Sequence, residues 1–181
     1  KLREVQATMR KHLVWNKAIW ITETSMWSNG VDGLEGQRNY VIRDQTRAFC
    51  TGADNLFWFG IRQEYPADVL PLHRWLISID HRADQAYDTY QRYASFVSGM
   101  TCRGAYPTAA ANVEAYHFNN AADAQLYVLW STDSKDHEVQ LPAAAPVTVT
   151  RRDGGASQVT PQNGVATVRV ERQGVYVTFN Q

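Results

Sequence analysis

The first hundred residues alternate between two hydrophobic periodicities. Leu2, Val5, Met9 and Leu13 recur at helical spacing among charged residues and predict an amphipathic helix over 2–13. Ala18–Thr22, "AIWIT", is an apolar and β-branched run of strand length, the pattern of a strand buried on both faces. After a Gly- and Asn-rich stretch, "SNGVDGLEG", helical spacing returns from Gln37 to Cys50, with Tyr40, Val41, Ala48 and Phe49 on one side and Gly52 as the stop. "NLFWFGI", residues 55–61, predicts a second buried strand. A long connection from Arg62 to Asp84 contains Pro66 and Pro71 and a short element around His73–Ile79. Ala86, Tyr87, Tyr90, Ala94 and Val97 then share one face of a helix over Ala83–Gly99. Helices and strands in this order imply parallel βαβ pairing.

After Gly104 the texture changes. "NVEAYHF", "AQLYVLWS", "HEVQL", "PVTVTRR", "ASQVT", "GVATVRV" and "GVYVTF" are short, and several alternate apolar with polar. Asp153-Gly154-Gly155 and Asn163-Gly164 read as turns, the second a strong hairpin signal. About seven strands in roughly 70 residues predict an antiparallel sandwich. "GAYPTAAA" marks the boundary, so the expected domains are 1–104 and 105–181.

Two βα units cannot close a sheet; both edges stay open and much of each face lacks helix cover. A closed β/α barrel needs about 250 residues. The expected fold class is therefore α/β plus all-β: the last quarter of a (β/α)8 TIM barrel, incomplete, followed by a small antiparallel β-sandwich.

Composition narrows the function classes. Eighteen Lys and Arg balance eighteen Asp and Glu, which gives no reason to expect nucleic acid or an anionic membrane as partner. The chain contains no apolar run long enough for a membrane-spanning helix. Cys50 and Cys102 are the two cysteines, and reduced thiols are the expectation. His12, His73, His81, His117 and His137 are scattered without zinc spacing, so neither metal nor cofactor is expected. Six Trp and nine Tyr suit a core, and any that face water suit sugars.

The ordered set "IWITETS", a helix, "LFWFGIRQE", a long loop, "AYDTYQRYASFVSG" and a sandwich opening on "VEAYHF" resembles the C-terminal part of clan A retaining glycoside hydrolases. The resemblance covers nearly the whole chain. It implies that Ala18–Thr22 is the seventh barrel strand and that Glu23, at its C-terminal end, is the catalytic nucleophile. It also implies that Trp58, on the eighth strand, lines the sugar site. From the residues themselves, either Leu56 and Trp58 or Phe57 and Phe59 face inward, and Glu23 either acts chemically or simply ends a strand. Trp27 either stacks on a sugar or covers the rim. Arg62 and Glu64 either bond sugar hydroxyls or pair with each other. Trp75 and Trp130 read as packing residues.

Retaining hydrolysis needs two carboxyl groups about 5–5.5 Å apart. In the resembled clan the acid/base Glu follows an Asn on the fourth strand, and no Asn-Glu dipeptide occurs here. Neither Glu35 nor Glu64 ends a buried strand, so neither is assigned the role. The expectation is that this chain carries half of a catalytic pair and is inactive alone. Its partners would be a carbohydrate substrate and the remaining barrel portion, or a partner chain supplying it. The alternative is a non-catalytic carbohydrate-binding or structural remnant. Localisation stays open between secreted and cytoplasmic.

Overall fold

A computed structural model describes residues 1–27, 32–63, 75–78, 80, 81, 83, 85–133 and 135–179. The chain divides into two compact units, Lys1–Asp88 and Thr89–Gln181.

In the first unit, β1 (Trp20–Thr24) and β2 (Asn55–Trp58) pair in parallel, and α2 (Gly33–Cys50) connects them. The predicted βαβ arrangement is therefore present. Helix α1 (Leu2–Lys11) sends Leu2 into a small cluster with Ile21, Ala48, Phe49, Ala53 and Leu56. Helix α2 ends where expected: Thr51 N–H donates to the Arg47 carbonyl at 2.9 Å, and Gly52 takes a left-handed φ of +95° that costs other residues. Its start is earlier than Gln37 and reaches into the stretch read as loop. Gly36 is required there, because a Cβ would lie 2.6 Å from Asp32 Cβ and 3.2 Å from Met26 Cε.

The double-sided burial expected of the first strand does not hold. Trp20, Thr22 and Glu23 are exposed, and Ile21 is half-buried. The reason is cover: among the described residues β1 has β2 as its strand neighbour, and the apolar cluster packs on one face. Of the predicted element at His73–Ile79, residues 73, 74 and 79 lie outside the described set. Leu76 and Ile77 N–H both donate to the Ile61 carbonyl, at 3.0 and 2.8 Å.

In the second unit every one of the seven expected strands forms. They are β4 (Val113–Asn119), β5 (Gln125–Ser131), β6 (His137–Pro142), β7 (Val147–Arg151), β8 (Ala156–Val159), β9 (Val165–Val170) and β10 (Val175–Phe179). An additional strand, β3 (Thr101–Ala105), precedes them. They make a six-stranded sheet in the order β3-β4-β5-β10-β7-β8 and a two-stranded sheet, β6-β9. Alternation explains the β-sandwich core: Ala115, Leu129, Val139, Leu141, Val149, Ala166, Val168, Val175 and Val177 come from inward positions of both sheets. Strand β5 reads as a continuous apolar run because its other face is buried too. Leu126, Val128 and Trp130 lie there; Leu126 is cross-strand from Phe118, and Val128 from Tyr116 on one side and Tyr176 on the other. On this face Phe96 of α3 (Gln85–Val97) stacks on Tyr176, with ring centroids 4.4 Å apart. Asn163 and Gly164 form the predicted tight turn, both at positive φ, yet β8 and β9 go to different sheets.

Cys50 and Cys102 are each disulfide-bonded, which corrects the expectation of reduced thiols. Separation along a sequence carries no information on the distance between two sulfurs in the fold.

The turn between β5 and β6 is held by one carboxylate. Asp133 Oδ1 accepts from Ser131 Oγ at 2.8 Å, Lys135 N–H at 2.9 Å and His137 Nε2 at 2.9 Å, and Oδ2 accepts from Asn112 Nδ2 at 2.9 Å. The His137 bond, followed by those from Lys135 and Ser131, holds the Asp133 pKa well below the usual carboxylate range. A depressed folded-state value means the stabilisation is complete above the unfolded value of about 4 and fades as pH falls toward the folded one. The stability difference between wild type and Asp133→Asn is therefore expected to shrink as pH falls below about 4. Urea midpoints at each pH check this.

Candidate active site

The parallel pair β1–β2 has a defect at its C-terminal end. Trp20 pairs with Asn55 and Ile21 with Leu56, but the next registered pair is Thr24 with Trp58. Two residues, Thr22 and Glu23, thus stand opposite the single residue Phe57. This is a β-bulge, the device that re-aims a side chain within a strand. Strict alternation from Ile21 would put Glu23 on the side of Ile21 and Leu56, against Ala48 and Ala53. The bulge instead gives that side to Thr24, whose hydroxyl bonds to α2, and Glu23 is exposed.

Thr24 is tied to α2. Its hydroxyl donates to Asp44 Oδ2 at 2.8 Å and lies 2.7 Å from the Tyr40 hydroxyl. Burial raises the Tyr40 pKa, so the phenol stays a proton donor across the working pH range. Tyr40 also meets Trp58 edge to face, with centroids 6.1 Å apart at 74°. The chain leaving β1 is held by Gln37, fully buried, whose amide donates to the Met26 carbonyl at 2.9 Å.

The candidates from the sequence are distributed as follows. Glu23 is the penultimate residue of β1, at the strand end where barrel enzymes keep their chemistry. Trp27 is 49% exposed, just beyond it. Trp58 is 5% exposed and shares the covered face with Leu56. The parity left open by the sequence is thereby settled: Phe57, 47% exposed, points the other way and lies against Trp20, with centroids 6.0 Å apart. Arg62 is exposed and its Nη2 lies 3.0 Å from His81 Nε2; Glu64 lies outside the described residues. Trp75 packs over Gly60, where a Cβ would fall 2.4 Å from its ring. A separate cleft, lined by Met9, Arg10, Trp15, Lys17 and Asp54, opens at the opposite end of β1. Among the described residues no group of three or more His, Cys, Asp or Glu is placed to hold a metal ion. No helix among them is long and apolar enough to cross a membrane.

No protein-family model and no curated protein matches the sequence. Solved structures do match, and they are glycoside hydrolases. A family 39 glycoside hydrolase from Bacteroides cellulosilyticus WH2 aligns over 99% of this chain with a TM-score of 0.80 at 15% identity. A GH30 endoxylanase from Clostridium papyrosolvens C71 aligns over 95% with a TM-score of 0.68 at 14% identity. A Paenibacillus polymyxa xyloglucanase of glycoside hydrolase family 44 aligns over 99% with a TM-score of 0.60 at 10% identity. The chain spans 38%, 44% and 35% of those three proteins. At these identities the likeness is one of fold: the chain has the fold of a part of these glycoside hydrolases.

Thr24, Tyr40, Asp44 and Gln37 were not singled out as site residues from the sequence. The available signal was the i, i+4 spacing of Tyr40 and Asp44 on α2, which puts both on one helical face. Tyr40 was read there as an apolar packing residue, and its hydroxyl was passed over.

Proposed function

We propose that this chain is the C-terminal portion of a retaining glycoside hydrolase and that Glu23 is its nucleophile. In this reading β1, α2 and β2 belong to the end of a (β/α)8 barrel. The other strands come from the rest of the polypeptide or from a partner chain, and they supply the acid/base Glu. The observation that carries the reading is an exposed Glu23, set in a bulge at the C-terminal end of a parallel strand.

The chemistry follows. The Glu23 carboxylate attacks the anomeric carbon while the acid/base protonates the departing oxygen, leaving a glycosyl ester on Glu23. Water, deprotonated by the same acid/base, then displaces Glu23 and restores both groups. Phe57, Trp20 and Trp27 offer exposed apolar rings on β2, β1 and the chain just after β1, suited to the C–H faces of a sugar. Trp58, expected at the sugar, supports the site from behind through Tyr40, and Arg62 stands at the rim with donors for hydroxyls.

The test is covalent trapping. The whole enzyme is incubated with 2-deoxy-2-fluoroglycosides bearing a good leaving group, then digested and sequenced by mass spectrometry. The expected result is one sugar per chain on Glu23, with hydrolysis products of retained anomeric configuration. Labelling of another carboxylate, or inverted products, removes Glu23 from the role. Absence of hydrolysis on every glycoside tried gives first place to the non-catalytic carbohydrate-binding or structural reading.

A further inference from the structure

We infer that Thr24, Tyr40 and Asp44 are positioning residues that fix the direction of the Glu23 carboxylate. The inference rests on the nucleophile reading above and deepens it.

A bulge needs something to hold its register, because the same strand without it would swing Glu23 onto the apolar side of Ile21 and Leu56. Thr24 closes the bulge and is held at three points. Its carbonyl accepts from Phe59 N–H at 2.8 Å. Its hydroxyl donates to Asp44 Oδ2, and an ionised carboxylate only accepts, so the one hydroxyl proton is used there. The Tyr40 hydroxyl lies 2.7 Å from Thr24 Oγ1 and also interacts with Asp44. The result is a hydrogen-bonded cluster of Thr24, Tyr40 and Asp44. Tyr40 and Asp44 sit one helical turn apart on α2, and Trp58 packs against the Tyr40 ring.

The cluster acts on Glu23 through the backbone. Thr24 follows Glu23 directly, so fixing the Thr24 side chain and carbonyl fixes the peptide unit from which the Glu23 side chain projects. A nucleophile must meet the anomeric carbon within a narrow range of distance and angle, and an error near 1 Å costs about 10²-fold in rate. Val at position 24 has the shape of Thr and neither the donor nor the acceptor.

The experiment uses the whole active enzyme on an aryl glycoside, with Thr24→Val, Thr24→Ser and Tyr40→Phe measured beside Glu23→Gln. Thr24→Val is expected to lower kcat by about 10²-fold with KM nearly unchanged, and to slow fluorosugar labelling of Glu23 in the same proportion. Thr24→Ser, which restores the hydroxyl, is expected to recover most of the loss. Tyr40→Phe keeps the ring against Trp58 and removes only the hydroxyl, so it carries the test if Thr24→Val does not fold. It is expected to lower kcat without raising KM. A wild-type kcat in Thr24→Val or Tyr40→Phe overturns the inference. So does a Thr24→Ser protein as slow as Thr24→Val, because the hydroxyl would then not be what restores the rate. The two readings separate cleanly: an active Glu23→Gln protein removes the nucleophile, whereas an inactive one beside an active Thr24→Val removes only the positioning role.

Discussion

Glu23→Gln is expected to abolish turnover while leaving sugar binding nearly intact. The substitution keeps the size and hydrogen-bonding outline of the side chain and removes the negative charge that forms the glycosyl ester. A loss of 10³-fold corresponds to about 4 kcal/mol of transition-state stabilisation, and loss of the nucleophile should cost at least that much. The ground-state complex depends on the ring faces and rim donors, so KM should move little. The bulge predicts a further detail. Glu23 is exposed on its own side of β1, so removing its charge disturbs no buried partner, and the melting temperature should stay within the range of ordinary surface substitutions. Inactivity with an unchanged melting temperature is the signature of lost chemistry. Inactivity with a large drop would assign Glu23 a structural role instead. The isosteric neighbour Thr22→Val is a control, since it sits in the same bulge without the carboxylate.

The sequence was most legible where one periodicity ruled. In the second unit, β6 and β9 alternate strictly because one of their faces meets water, and both were readable. Strand β3, "TCRGA", was not: it alternates half-buried with exposed residues and contains a Gly, so it carries little apolar signal. At the candidate site, the Glu at the end of an apolar run was visible, but its direction was not. Parity counted from Ile21 gives the wrong face for Thr24, and only the register against Leu56 and Trp58 reveals the inserted residue. The same limit applies to Trp58. An aromatic residue on a short strand has two faces available, and α2 decides between them by placing Tyr40 against it. Helix α2 itself was under-read because it buries Gln37, Asn39, Gln45 and Thr46 beside Val41 and Ile42, which blurs the apolar stripe.

Two tryptophans of similar size should respond oppositely to truncation. Trp130 is fully buried, stacked on Tyr116 with centroids 5.3 Å apart, among Phe118, Leu126 and Val128. Trp130→Ala should cost about 3–5 kcal/mol, the range for an aromatic side chain removed from a packed core, part of it from the lost stack. Against a typical total of about 5–15 kcal/mol, that is enough to leave a large unfolded fraction. Trp20 is 60% exposed, so Trp20→Ala in this chain should change stability by less than about 1 kcal/mol. Urea unfolding followed by circular dichroism measures both, and equal losses would contradict the burial described here. The comparison also bears on the barrel. If further strands cover the face shared by Trp20 and Phe57, supplying them should turn the mild Trp20 substitution into a core truncation. Its cost should then rise toward that of Trp130. A Trp20→Ala penalty that stays small in the whole enzyme would mean that this face remains open to solvent or substrate. Trp20 would then belong to the sugar-binding surface and not to the barrel core.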